Sequence, residues 1–165
     1  MSPADLLIDA LERVRDGAVA VVDGLDEQQL RHRPGPDANP IGWLVWHAAR
    51  VQDDHVATVA GHAQVYEGFA ERFALPYDDG DIGYGHSSDD VAAFTASAEL
   101  LAEYAAAVHD RSVGYLATLE PADLDRVVDE NWDPPVTLGV RLVSVVNDDT
   151  QHLGQAAYVR GLLGV

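Results

Sequence analysis

A carboxylate and an imidazole stand four residues apart in Val145-Val146-Asn147-Asp148-Asp149-Thr150-Gln151-His152-Leu153-Gly154-Gln155. On a helix that spacing stacks Asp148 and His152 on one face, where they can serve as two ligands of one divalent metal. A third ligand must come from another helix, and the best candidate is His47 in Gly42-Trp43-Leu44-Val45-Trp46-His47. Three nitrogen and oxygen donors with coordination positions left open describe a catalytic rather than a closed structural site. The chain has no cysteine, so no protein thiolate is available as nucleophile or ligand. Any sulfur chemistry would need a thiol from outside.

Each residue also has a plainer reading. His47 taken alone, on an apolar stripe between tryptophans, reads as a hydrogen-bonded core histidine. Asp148 with His152 could be an ordinary surface pair. That pair, however, lies on the stripe side of its helix, where an unpaired carboxylate costs several kcal/mol unless it is neutralised or bound to a cation. No basic residue of the same helix is within one turn of both groups: Arg141 is seven residues before Asp148, and Arg160 is eight past His152. A metal ion is a reasonable counter-charge. Asp149 competes with Asp148 because a spacing of three also faces one way, but pairs four apart converge better. His55 follows His47 by eight residues, about 12 Å along a helix axis, too far to share its metal and better suited to the core or a supporting contact. Asp54 and Gln155 could bond the free nitrogens of ligating imidazoles. His32, His62, His86 and His109 have no spacing that singles them out, and no phosphate loop, Ser-His-Asp order or HExxH pattern occurs.

The elements that would position these residues are helices. Ser2-Pro3-Ala4-Asp5 is a start signal, and Leu7, Leu11, Val14, Ala18, Val21 and Leu25 recur at steps of four and three, predicting a first helix over 4–24. Asn39-Pro40 opens a second over 40–60, with Gly61 as its C-cap. From 61 to 87 no period persists, and Phe69, Phe73, Tyr77 and Tyr84 suggest a lid or wall packed across the helices. Ser87 caps a third helix whose stripe from Val91 through Phe94 and Ala98 to Leu119 is the longest in the chain. The segment 120–136 is irregular apart from a short turn near Pro121, and Thr137 caps the fourth helix. The expectation is an all-α fold: one four-helix-bundle domain over 1–165, with long connections between helices two and three and between three and four.

Composition removes several classes of function. A formal charge of -18 repels a phosphate backbone and anionic lipid alike, so neither nucleic acid nor membrane is expected as a partner. No apolar run approaches membrane-spanning length and no basic region precedes the first helix, which makes a cytoplasmic location the expectation.

At these residues the sequence resembles the DinB-like metal-binding four-helix-bundle superfamily. Within it the likeness is to the branch of mycothiol-dependent maleylpyruvate isomerase and related mycothiol or bacillithiol S-transferases. Asn39 to His47 looks like the family's first metal histidine on helix two. Asp148 to His152, followed by Leu153-Gly154-Gln155, looks like its last-helix motif. Many members carry His where this chain has Asp148, whereas the isomerase branch carries an acid. The resemblance implies a divalent metal, with zinc first and nickel, iron or manganese as alternatives, held by His47, Asp148 and His152. It further implies a mycothiol-type thiol as cosubstrate and an electrophile as its target. A non-catalytic, stress-related metal-binding bundle and a hydrolase acting through metal-activated water are the alternatives. Arg50, Arg141 and Arg160 are candidates for contacting the thiol. Bundles with apolar outer faces often dimerise, so a homodimer is a further expectation.

Overall fold

The computed structural model describes residues 1–165. Helix α1 spans Pro3–Val22, α2 is one turn, Glu27–Leu30, and α3 spans Ile41–Ala60. Two short helices follow, α4 (Ala70–Phe73) and α5 (Ser88–Ala93), then the long α6 (Ala98–Leu116) and α7 (Leu138–Leu163). Strands β1 (Val127–Asp129) and β2 (Val136–Thr137) pair antiparallel between α6 and α7. The protein is mostly helical with one small sheet. No helix is long and apolar enough to cross a membrane.

The helix starts follow the capping chemistry of the sequence. The Ser2 hydroxyl accepts from the Asp5 amide and Asp5 accepts from the Ser2 amide, and Thr137 caps α7 by accepting from the Val140 amide. Gly61, at φ +71°, ends α3 in the left-handed conformation. Helices α1 and α3 each pack against both α6 and α7, so the latter two flank α3 on opposite sides. Every residue of α3 from Ile41 to Asp53 is buried. A helix enclosed all round must satisfy each polar group it carries, and α3 carries His47, Arg50, Gln52 and Asp53.

Three parts depart from the sequence reading. The third helix is not continuous from 87 to 119: α5 stops at Ala93, Phe94 is extended, and Ser97 caps a new helix by accepting from the Leu100 amide. The break turns Phe94 into the core against Gly42 and Trp46, with its ring 5.6 Å from the Trp46 ring. A continuous hydrophobic rhythm conceals such a break because both pieces bury the same side. The segment 120–136 holds the 3₁₀ turn Pro121–Asp125 near the expected place, but it also contributes β1, which then pairs with β2. In the 61–87 connection Tyr66 and Phe73 are buried and Phe69 and Tyr77 pack against the core, but Tyr84 is 89% exposed and takes no part in the wall.

Candidate functional site

The interior of α3 and the middle of α7 bring His47, Asp148 and His152 together. Each offers one ligand atom, and these atoms lie within 4.8 Å of one another. The two imidazole centroids are 4.7 Å apart. His47 Nδ1 meets the Ile82 carbonyl oxygen, and His152 Nδ1 meets the Asp148 carbonyl at 2.9 Å. A carbonyl only accepts, so both Nδ1 atoms are assigned the proton and both Nε2 atoms keep a bare lone pair. The Asp148 Oδ2 atom is buried and has no hydrogen-bond partner. It lies 3.6 Å from His152 Nδ1, whose proton is committed to the carbonyl. Burial also holds the His47 pKa below its ordinary value, and the nearby His152 adds to the effect against the Ile82 contact and Asp148. Two imidazoles and a carboxylate oxygen without a hydrogen bond therefore face one common space. Such a group is costly to assemble unless a cation enters it.

The connection after α3 is what holds His47 in place. Gly83, at φ +88°, lies so close that a β-carbon there would come within 2.9 Å of His47 Nδ1 and 3.0 Å of both the Trp43 and Trp46 rings. Trp43 stacks on His47 with centroids 4.6 Å apart and planes 14° from parallel. The Trp43 indole N–H donates to His86 Nδ1 at 3.1 Å, and His86 Nε2–H in turn donates to Asp81 at 2.9 Å. Arg50, fully buried, donates to the Asp79 and Asp81 carbonyls, each at 3.1 Å, and to Gln64 at 2.7 Å, with its guanidinium 4.0 Å from the Tyr66 ring centre. Asp53 accepts from the amides of Val65 and Tyr66 and from the Tyr104 hydroxyl. One turn of α3 thus pins both ends of the wall.

Other expected contributors fall elsewhere. Asp54 bonds Gln64 and lies 3.2 Å from His55 rather than supporting a ligating imidazole. Gln155 is exposed and bonds neither histidine. Arg50 is enclosed and spent on the wall, and Arg160 donates to the Ala20 and Val21 carbonyls, so neither can meet a thiol at the triad. His86, Asp81 and Gly83 are contributors that the sequence does not single out. Only the glycine-rich, acidic stretch Asp78-Asp79-Gly80-Asp81-Ile82-Gly83 hinted at a turn there.

The rival carboxylate behaves differently. Asp149 is fully buried, both of its oxygens lack partners, and it is not one of the grouped atoms. Burial, reinforced by the neighbouring Asp148 charge, pushes its carboxyl well above the usual carboxylate range. Between its unfolded and folded pKa values the native state binds more protons than the unfolded one, so this group makes stability fall as pH rises. Asp149→Asn is expected to stabilise chelator-treated protein by about 1–3 kcal/mol at pH 7. The gain should shrink towards about pH 4, where the unfolded aspartate is also protonated. Thermal denaturation of both proteins across that range reads it, and a gain that grows on acidification would refute it.

The family model described as Mycothiol-S-transferase matches residues 6–164. A crystal structure titled as a conserved protein from Enterococcus faecalis is 30% identical to the chain, with a TM-score of 0.92, covering 100% of this chain and 99% of that one. No curated protein matches the chain.

Proposed function

The chain belongs to the mycothiol-S-transferase family, and from that premise we propose that it is a one-domain four-helix bundle that transfers a mycothiol-type thiol to an electrophile at a divalent metal held by His47, Asp148 and His152. The observation that carries this reading is the convergence of two imidazoles and an unpartnered buried carboxylate oxygen. Nitrogen and oxygen donors of this kind suit zinc first, with nickel, iron and manganese compatible. A bound dication would supply the charge that keeps an incoming thiol as thiolate at neutral pH.

The chain's own residues supply orientation and exclusion. His47 and His152 are held by their Nδ1–H bonds and cannot turn their Nε2 atoms away. Trp43, Trp46 and the 79–83 wall close one side of the triad to water. The thiol proton leaves to solvent and the sulfur lone pair forms the new bond to carbon. The displaced electron pair departs with a leaving group or, in an addition, takes up a proton. The absence of cysteine suits this division of labour, since the sulfur arrives with the cosubstrate. A cytoplasmic setting, where small thiols stay reduced, belongs to the same reading.

The test is thiol consumption. Metal-loaded protein should deplete free mycothiol with a reactive electrophile above the uncatalysed rate, and His152→Ala should not. Turnover without thiol would replace the reading by the hydrolase. Stoichiometric metal with no turnover on any electrophile would leave a binding module.

A further inference from the structure

Beside Asp148 a cleft of about 350 Å³ opens between α3, α7 and the segment joining β1 to β2. Val51, His55, Trp132, Val136, Arg141, Ser144 and Asp148 line it. A larger depression of about 720 Å³ lies elsewhere, between the end of α3 and α6, and contains none of the triad. The cleft beside Asp148 thus reaches one member of the triad directly.

Its walls are chemically lopsided. Val51, Val136 and the Trp132 ring make an apolar slot, and the Ser144 hydroxyl is already donating to the Val140 carbonyl at 2.9 Å. Arg141 supplies the cation. Its Nη2 donates to Asp129 at 2.9 Å, and no other protein acceptor engages the guanidinium. Arg141 and Asp148 are seven residues apart on α7, which places their levels about 10 Å apart along the helix axis. A molecule spanning the slot thus meets a guanidinium at one end and Asp148, the edge of the triad, at the other.

We propose that this cleft seats the electrophile, and that the electrophile is a small, flat, largely apolar molecule about 10 Å long with a carboxylate at the end remote from its reactive carbon. Arg141 receives the carboxylate, Trp132 and the valines cover the body, and the reactive end lies at the triad. A guanidinium with free N–H groups recognises a carboxylate through charge-assisted bonds. The assignment rests on the thiol-transfer reading of the adjoining site.

The unreactive probe 3-phenylpropanoate and its uncharged amide test it. Trp132 is 66% exposed whereas Trp43 and Trp46 are 5% and 0% exposed, so a change in the long-wavelength tryptophan emission reports on the cleft. The acid should change that emission saturably and bind about tenfold or more tightly than the amide. Arg141→Gln should erase this preference. Asp129→Asn, which frees the guanidinium from its carboxylate partner, should strengthen binding of the acid. Because both variants break the same ion pair, a purely structural role would move them in the same direction. That result, or equal binding of acid and amide by the unaltered protein, overturns the proposal. Transfer needs both reactants together, so displacement of the probe by mycothiol would also overturn it. Metal content measured on the same samples separates the two readings. Acid preference in protein that cannot hold metal would sink thiol transfer but keep the anion seat, and thiol-consuming, metal-loaded protein without acid preference would do the reverse.

Discussion

Alanine at His47 or at His152 is expected to empty the protein of stoichiometric divalent metal while leaving it folded. In the proposed site each histidine would supply one of three donors, and no neighbour completes the remaining pair: Asp149 does not join the grouped atoms, and Gln155 is exposed. Loss of a supporting contact outside the coordination sphere already costs about 10–100-fold in metal affinity, so loss of a ligand should exceed that. Elemental analysis of tag-free protein after dialysis reads the result. His55→Ala, which alters the cleft rim and not the triad, should keep its metal. Full occupancy in either alanine variant of the triad would eliminate this ligand set.

Arg50→Met is expected to destabilise the protein by about 3–5 kcal/mol, the usual cost of removing one partner of a buried ion pair. The guanidinium lies 3.7 Å from Asp53 and carries the Asp79 and Asp81 carbonyls, so its loss leaves the buried Asp53 charge without its cation and two backbone acceptors without a donor. The effect should reach the site, because Asp81 immediately precedes the Ile82 carbonyl against which His47 is set. Urea denaturation measures the loss. Adding Asp53→Asn to Arg50→Met should cost less than the sum of the two single changes, since the second removes the charge that the first left unpaired. A loss under about 1 kcal/mol would mean that water replaces the guanidinium and that the wall does not depend on it.

The ligand trio could be proposed from the sequence because its members lie on long helices, where spacing translates directly into facing. The four-residue step on α7 chose Asp148 over Asp149, and the stripe on α3 pointed His47 inward. The same rules read the starts of α1 and α7 from Ser2 and Thr137, whereas α3 begins one residue later than expected, at Ile41, with Pro40 at its cap and no side-chain bond from Asn39. They failed where facing is set by distant partners. The kink at Phe94 depends on a pocket beside Gly42, and the β1–β2 pair consists of strands too short to show alternation. Arg50 was a candidate for contacting the thiol only because such cosubstrates carry polar groups. Its partners are backbone carbonyls some thirty residues away, which no side-chain pattern announces. Asp81, Ile82 and Gly83 were silent for a related reason, since what they bring to the site depends on where the chain passes.

The two imidazoles lean on main-chain oxygens, those of Ile82 and Asp148. Every amino acid carries that oxygen, so no exchange of side chain at position 82 deletes the acceptor. The electron-donating character of the histidines is thereby insulated from drift in that stretch, provided the path of the chain is kept. Reactivity can then diversify through the neighbouring slot while the donor set stays constant, a separation that lets one scaffold try new substrates without rebuilding its chemistry.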